Sequence, residues 1–453
     1  MEAVERFLIA FAGFVWGWPL LTLLLGGGLF FVIYSRSLPY RHFRHSLQIL
    51  SGRYDDPREA GEIPHYQALS SALSGTLGLG NIAGVAIAIT MGGPGAVFWM
   101  WVTALLGIAT KFFTCTLAIL YRGRDNAGYL QGGPMYVVTE GLGPRWRPLA
   151  VLFCVAGLVG TLPVFQSNQL TQIVREVVFV PQGWVDAEAH LGFDFVFGSA
   201  VALAVGAVVF GGIRRIGAVT GRLVPGMVAL YLVGAVVLIL ARIEELPGAL
   251  WLIVHDAFTG QAAAGGAVGA VVITGVRRGA FSNEAGIGTE SMAHGAAQTN
   301  EPVREGLVAM LGPVVDTLIV CSCTAFAILM TGVWETTEAD GVTLTALAFE
   351  QAFPGLGAYL LTAMVVFLST STMITFWYYG TQCLIFLAGV EVAASYRYFY
   401  TALIVAGSVG SLEAVIALID GMYALMAVPT MVSAIILAPR VMTEARHYFQ
   451  RHP

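Results

Sequence analysis

The feature that most constrains this chain is a series of long apolar runs separated by short polar stretches. A helix needs roughly 20 apolar residues to cross a membrane. Only 11% of the 453 residues are charged, whereas about 25% is usual in a soluble domain. The chain is therefore predicted to be an all-α integral membrane protein whose outer surface meets the lipid bilayer.

The apolar runs predict eleven transmembrane helices, at 11–34, 67–91, 95–121, 149–174, 195–212, 217–241, 264–296, 306–332, 356–388, 396–418 and 421–439. The first run is long and lacks a small-residue cleavage site, so we expect it to be a span and not a removed signal peptide.

The spans divide the chain into an extra N-terminal helix and two blocks of five. The predicted divisions are the first helix and a cytoplasmic loop at 1–66, a five-helix repeat at 67–241, an extracellular connection at 242–263, a second repeat at 264–439, and a cytoplasmic tail at 440–453. With five spans each, the two blocks must cross the membrane in opposite directions.

Arginine placement predicts the orientation. Loops on one side of the membrane carry most of the arginines, whereas those on the other side carry only Arg6, Arg175 and Arg242. Positively charged loops stay in the cytoplasm. We therefore expect a multi-pass protein of the cell (inner) membrane, with the N-terminus outside and the C-terminus cytoplasmic.

The second span contains a segment that is poor in helix-forming residues. Gly75, Gly78 and Gly80 fall among several hydroxyl side chains between Ser70 and Asn81. A broken helix in a membrane exposes backbone groups that can hold a carboxylate or a cation. The alternative is a glycine-rich packing face, but these glycines lack the small-xxx-small spacing of such faces.

The seventh span is interrupted in the same way. Its sequence from Thr274 to Glu290 holds four glycines and four charged residues, which are costly inside a membrane. A polar loop between two short spans is the alternative, but the flanks are too short to cross separately. Broken helices at corresponding positions of two inverted halves indicate the central site of a transporter.

Several ordered motifs resemble the alanine/glycine:cation symporter family over nearly the whole chain. They are Gly78-Leu79-Gly80-Asn81-Ile82-Ala83-Gly84-Val85, Gly92-Gly93-Pro94-Gly95-Ala96-Val97-Phe98-Trp99-Met100-Trp101, Gly132-Gly133-Pro134-Met135-Tyr136, Arg278-Gly279-Ala280-Phe281-Ser282-Asn283-Glu284-Ala285-Gly286 and Val315-Asp316-Thr317-Leu318-Ile319-Val320-Cys321. The resemblance implies a LeuT-type fold, a 5+5 inverted repeat preceded by one extra helix.

The same resemblance implies sodium-coupled symport of a small neutral amino acid into the cell by alternating access. Sodium is the coupling ion, although some members of the family use protons. The alternative function is a proton-coupled carrier of a different amino acid or a related small carboxylate solute.

The resemblance also carries over site residues. Those expected to bind substrate are Thr76, Gly78, Leu79, Gly80, Gln166, Asn283, Thr372 and Phe376. Those expected to bind sodium are Ser371 and Thr372 with the carbonyls of Leu368, Ser74 and Leu77, and, at a second site, Asn81 and Thr76. Oxygen ligands suit a hard cation. The alternative for the two hydroxyls of the ninth span is bonding back to their own helix.

The sequence departs from the family pattern at four places. Phe376 stands where the family usually has Trp, and Leu79 replaces a small residue or Thr. Thr289-Glu290-Ser291 replaces Ser-Ala-Pro and adds a carboxylate. Thr114 replaces Glu three residues after Lys111, which would leave that lysine without its partner. The smaller ring of Phe376 predicts a pocket that accepts side chains larger than that of alanine.

Two further acids lie within predicted spans. Asp316 is either functional or a hydrogen-bonding support for the broken helices. Glu284 is expected to pair with Arg277 or Arg278 in a structural or gating network.

Other functional classes find little support in the sequence. An intramembrane enzyme would need a catalytic set in the spans, but the histidines fall mostly in loops and the five cysteines have no metal-type spacing. A channel filter needs symmetric repeats around a pore, and no ATP-binding loop is present. We therefore expect neither an enzyme nor a nucleic-acid-binding protein, and no obligate protein partner is evident.

Overall fold

The computed structural model describes residues 2–186, 188–259, 268–410 and 413–451. Within these ranges, helices make up most of the chain, beside one antiparallel pair of two-residue strands, β1 (Gly123–Arg124) and β2 (Leu130–Gln131). The helical class predicted from the sequence is thus confirmed.

The predicted first span consists of two helices, α1 (Glu2–Val15) and α2 (Trp18–Tyr34). Pro19 lies in the first turn of α2, where its missing N–H would be unpaired in any case. Two short helices follow in the predicted cytoplasmic loop, α3 (Leu38–Arg41) and α4 (Phe43–Leu50).

The first predicted repeat contains eight helices. They are α5 (His65–Thr76), α6 (Leu79–Gly92), α7 (Gly95–Leu120), α8 (Pro134–Tyr136), α9 (Arg147–Gly160), α10 (Val164–Val174), α11 (Leu191–Val209) and α12 (Gly212–Ala241).

The connection and the second predicted repeat contain twelve more. They are α13 (Leu246–Thr259), α14 (Val268–Asn283), α15 (Thr289–Gly295), α16 (Pro302–Ala309), α17 (Leu311–Pro313), α18 (Ser322–Thr331), α19 (Val333–Thr336), α20 (Gly341–Ala352), α21 (Gly357–Ala388), α22 (Val390–Val409), α23 (Glu413–Leu425) and α24 (Ala427–Arg451). Residues 260–267 and 411–412, which include parts of the predicted connection and of the predicted seventh and tenth spans, lie outside the described residues.

Eight helices or joined helices in the described ranges are long and apolar enough to cross a membrane, and the bent pair α5 and α6 makes a ninth. The seventh and tenth predicted spans do not meet this measure. In the seventh, α14 ends after 16 described residues at the break. In the tenth, α22 carries Glu391 and Arg397, which lower its hydropathy. The count of eleven spans therefore stays a prediction.

The broken helices lie in the interior. Helix α14 packs against α7, and α5 packs against α21 and α12. Glycine permits the first of these contacts, because a Cβ at Gly275 would lie 2.4 Å from the carbonyl oxygen of Ala96. By contrast, α11 and α12 present large apolar side chains on the outer surface, such as Leu203, Val233 and Leu240. Such a surface is suited to lipid.

Candidate functional site

The first helix break falls at Leu77 and Gly78, between α5 and α6, whose axes differ by 42°. The Asn81 side chain accepts a hydrogen bond from the Gly78 N–H (3.0 Å) and so caps the start of α6. A Cβ at Gly78 would lie 2.6 Å from the hydroxyl oxygen of Thr372. The glycine at position 78 therefore lets the break lie directly against α21.

The second break spans residues 284–288, between α14 and α15. Three of its residues have left-handed backbone conformations, namely Glu284 (φ 57°), Gly286 (φ 88°) and Gly288 (φ 100°). Glutamate rarely adopts this conformation, and such residues concentrate at functional sites. The Glu284 side chain accepts a hydrogen bond from the Thr289 hydroxyl across the break.

This arrangement contradicts the expectation that Glu284 pairs with Arg277 or Arg278. Arg277 instead pairs with Asp420 of α23. The left-handed turn explains the difference, because it carries the Glu284 side chain past the end of α14 to Thr289. The arginines lie more than a turn earlier on α14.

A narrow cavity of about 20 Å³ lies between the two breaks. It is lined by Gly75, Thr76, Gly78, Leu79, Gly80, Phe165, Gln166, Phe281, Glu284, Thr372, Phe376 and Tyr423. The structure thus brings together seven of the eight residues expected to bind substrate. The exception is Asn283, which lies behind the break, where its amide donates to the Thr317 hydroxyl (3.3 Å) and its oxygen accepts from the Ala285 N–H (3.0 Å).

Three aromatic rings lie between this cavity and a larger one of about 490 Å³. The Tyr423 ring lies 5.5 Å from that of Phe281 and 6.0 Å from that of Phe376, centre to centre. All three rings line both cavities. The larger cavity also holds the ion pair of Arg277 and Asp420. We call Phe281, Phe376 and Tyr423 the aromatic lid.

Two buried polar atoms around the small cavity have no hydrogen-bond partner among the residues that the structure describes. They are the side-chain oxygen of Gln166 and the hydroxyl of Tyr379. The Tyr379 hydroxyl lies 3.2 Å from the position of a Cβ at Gly75. Because buried polar groups normally have partners, these atoms are suited to a polar ligand or ordered water.

Oxygen atoms also converge where α5 meets α21. The Ser371 hydroxyl lies 2.9 Å from the Leu368 carbonyl and 3.4 Å from the Ser74 carbonyl. The Thr372 hydroxyl lies 3.0 Å and 3.2 Å from the same two carbonyls. Both hydroxyls thus bond back to the Leu368 carbonyl of their own helix, as the alternative for these residues predicts, and both also face the Ser74 carbonyl of α5. Four oxygens of a kind that suits a hard cation therefore gather where the two helices meet. Leu77 lies in the adjoining gap between α5 and α6.

The predicted second sodium site has a different arrangement. The Thr76 hydroxyl approaches the Leu73 carbonyl of its own helix (3.5 Å), whereas the Asn81 amide donates to Ser282 (3.2 Å). Ser282 in turn donates to the Asp316 carboxylate (2.6 Å), whose second oxygen is buried and has no partner in the described chain. Asp316 thus supports the end of α14, and sequence reasoning had not singled out Ser282.

Two of the family departures lie in contact. The Thr114 hydroxyl of α7 faces the Glu290 carboxylate of α15 at 3.5 Å. Glu290 is buried, and it interacts electrostatically with Lys111. The family usually has Glu at the position of Thr114 on α7. In this chain, the carboxylate beside Thr114 and Lys111 comes from Glu290 of α15.

The comparison with known families is decisive. The whole chain, residues 1–453, matches the sodium:alanine symporter family. The chain belongs to this family. As a member of this family, it is an amino-acid transporter of the membrane and not an enzyme.

Relatives within the sodium:alanine symporter family match along nearly their full length. The chain is 39% identical to an uncharacterized transporter of Haemophilus influenzae over 459 aligned positions (99% of this chain and 97% of that protein). It is 34% identical to the sodium/alanine symporter AgcS of Methanococcus maripaludis over 441 positions (96% and 95%). It is 33% identical to the probable sodium/glutamine symporter GlnT of Bacillus subtilis over 457 positions (99% and 91%).

A solved structure supports the predicted fold of this chain. MhsT, determined in complex with L-phenylalanine, superposes with a TM-score of 0.55 over 85% of this chain and 99% of that chain, at 14% sequence identity. The predicted LeuT-type fold is thereby confirmed.

Five residues that line the small cavity were not among those expected to bind substrate, namely Gly75, Phe165, Phe281, Glu284 and Tyr423. Glu284 and Phe281 were visible within the motif at the second break, but their side-chain directions depend on the backbone turn there. Tyr423 lies in an apolar run of α23, and nothing in its local sequence signals a role at the site.

Proposed function

We propose that this chain imports a small neutral amino acid together with sodium by alternating access. The observation that carries the proposal is the cavity between the two helix breaks, which adjoins the oxygen cluster of α5 and α21. Thr372 belongs to both, because it lines the cavity and contacts the Ser74 and Leu368 carbonyls. Sodium and amino acid would therefore bind as neighbours.

The substrate carboxylate binds at the start of α6. Leu79 is the first residue of this helix, and Leu79 and Gly80 both line the cavity. The first N–H groups of a helix have no partners within it, and the helix dipole favours an anion there. Gly80 has no side chain to cover its backbone, so a carboxylate can approach closely.

The substrate ammonium group binds at the opposite wall, near Glu284. Among the residues that line the small cavity, Glu284 is the one acid, and neither Lys nor Arg is present. A buried carboxylate needs a positive partner. The α-ammonium group of an amino acid supplies one, and the unpartnered oxygen of Gln166 provides a further acceptor. Positive N–H groups on one side and Glu284 on the other complement a zwitterion.

The substrate side chain meets the aromatic lid. Phe376 stacks with Tyr423 and approaches Tyr379 (6.1 Å between ring centres). Phenylalanine is smaller than the tryptophan usual in the family, so the pocket accepts neutral side chains larger than that of alanine. The probable sodium/glutamine symporter GlnT among the relatives is consistent with such a range.

Sodium binds among the Ser74 and Leu368 carbonyls and the Ser371 and Thr372 hydroxyls. These atoms come from both sides of the contact between α5 and α21. A cation there attracts both helices and holds the first break against α21. Ion binding thereby shapes the cavity for the amino acid, which couples the two solutes.

Side-chain contacts close the cavity on each of its two sides. On one side are the aromatic lid and the pair of Arg277 and Asp420. On the other, Arg122 donates hydrogen bonds to backbone carbonyls of two segments, at Ala60, Gly295, Ala297 and Thr299. A parallel bridge between Ile63 and Ala297 joins the same segments. In alternating access these two sets of contacts open one at a time. The aromatic lid opens toward the outside, and the Arg122 contacts open toward the cytoplasm.

The test is uptake of radiolabelled alanine into proteoliposomes under an imposed sodium gradient, a proton gradient of equal size, or no gradient. Accumulation that requires inward sodium supports the proposal. Accumulation driven by protons and indifferent to sodium would support the proton-coupled alternative, and no transport of any neutral amino acid would contradict both.

A further inference from the structure

Two adjoining cavities open on the outer surface, away from the transport site. The first, of about 180 Å³, lies where α11, α12, α21 and α22 meet, and Arg397, Trp377 and Thr381 are among its lining residues. The second is a groove of about 730 Å³ between α11 and α22. Phe210 lines both, so the two cavities adjoin.

The first cavity has the chemistry of an anion site. Its residues include Arg397 and no acid among the described residues. Trp377 and Thr381 are only 8% and 9% exposed, yet their indole N–H and hydroxyl have no hydrogen-bond partner among the described residues. In the same part of the chain, the Nε of Arg397 is likewise buried without one. The residues of this cavity therefore supply three such donors and one positive charge.

Arg397 is held in place by aromatic rings. Its guanidinium carbon lies 4.9 Å from the centre of the Phe210 ring and 5.2 Å from that of Tyr398. Such stacking orients the planar group but leaves its N–H edge able to bind a phosphate in bidentate fashion.

The groove has the chemistry of an acyl-chain site. Its residues are small or apolar along α11 from Ser199 to Phe210 and along α22 from Tyr398 to Val405. Its rim is exposed, as Leu203 and Tyr398 show. From Ser199 to Phe210 the helix rises about 16 Å. That length is about half of the ~30 Å hydrocarbon core, the depth of one leaflet.

We propose that these cavities bind one anionic phospholipid of the cytoplasmic leaflet, with its phosphate on Arg397, Trp377 and Thr381 and an acyl chain in the groove. In the proposed orientation both the α11–α12 and the α21–α22 connections face the cytoplasm. Anionic lipids lie in that leaflet, and basic pockets between helices there suit their headgroups. The inference does not depend on which solute is transported.

Native mass spectrometry of the full chain, with phosphatidylglycerol and phosphatidylcholine of identical acyl chains, tests the headgroup. Wild type should retain phosphatidylglycerol at least about tenfold better, and Arg397→Gln should remove about tenfold to a hundredfold of that affinity, as expected for charge-assisted hydrogen bonds. The matched control is Arg446→Gln, because Arg446 is exposed on the same side and lines neither cavity. It should change nothing.

A second variant tests the groove. Ala207 is exposed and lines the groove, so Ala207→Trp fills it without disturbing the core and should weaken retention of both lipids. Inorganic phosphate should not compete with phosphatidylglycerol. The proposal is overturned if wild type retains both lipids equally, if Arg397→Gln and Arg446→Gln act alike, or if free phosphate displaces the lipid, which would indicate a simple anion site.

Discussion

The double substitution Ser371→Ala with Thr372→Val removes two of the four oxygens that converge between α5 and α21. Both changes are close to isosteric, so the packing of α21 survives. The Ser74 and Leu368 carbonyls remain, at 3.4 Å and 2.9 Å from the former Ser371 hydroxyl position. The variant therefore tests the hydroxyl ligands and not the fold.

The size of the effect follows from the lost contacts. A polar contact to a charged group contributes about 1.5–3 kcal/mol. Two such contacts amount to about 3–6 kcal/mol, and each 1.4 kcal/mol is tenfold in affinity. Water can replace part of the loss, so we expect the sodium concentration for half-maximal uptake to rise at least about a hundredfold.

The assay is the initial rate of alanine uptake into proteoliposomes across a series of sodium concentrations. The control is Ser369→Ala with Thr362→Val, which removes two buried hydroxyls of the same helix. Thr362 donates to the Ala358 carbonyl of its own helix, and the Ser369 hydroxyl has no hydrogen-bond partner within the described chain. The control should keep the wild-type sodium dependence. If the Ser371 and Thr372 variant also keeps it, with undiminished uptake, the sodium assignment is wrong.

Three further predictions concern the cavity and its surroundings. In a competition series of neutral amino acids, the wild type should accept at least one of serine, cysteine, threonine or glutamine. Phe376→Trp should weaken the binding of the larger amino acids by about 1–3 kcal/mol. A wild type that takes only glycine and alanine, and a substitution that changes nothing, would refute the enlarged pocket. Glu284→Gln should weaken the binding of alanine, measured by competition, about tenfold to a hundredfold. It should also narrow the transporter's preference for alanine over lactate, which lacks the ammonium group, whereas Glu290→Gln should leave that preference unchanged. Equal effects of the two variants would exclude the role of Glu284 in binding the ammonium group. Glu290→Ala should slow alanine uptake. Adding Thr114→Glu to that variant should restore uptake, because it returns the acid to α7. If uptake is not restored, the two positions are not equivalent.

The sequence predicted the helix breaks because their causes are local. Glycines at 75, 78 and 80 weaken the helix around the break at Leu77 and Gly78, and the charged segment around Glu284 cannot cross lipid unbroken. The family motifs then pointed to the correct faces of α10 and α21, so Gln166, Thr372 and Phe376 do line one cavity.

The residues that sequence reasoning missed depend on distant geometry. The pairing of Arg277 follows from the position of α23, which brings Asp420 to it across 143 positions of the chain. The direction of Glu284 follows from one left-handed residue. Tyr423 reaches the cavity through the packing of α23 against α1 and α9. None of these leaves a periodic signal in the sequence.

The central claim is that the amino acid lies between the two breaks, beside the sodium ion. A structure of the full chain with alanine and sodium bound tests it most directly. We predict the α-carboxylate on N–H groups between Thr76 and Gly80, the ammonium group toward Glu284, and sodium in contact with Thr372. An amino acid bound elsewhere, for example in the larger cavity beside Arg277 with the inner cavity empty, would contradict the account.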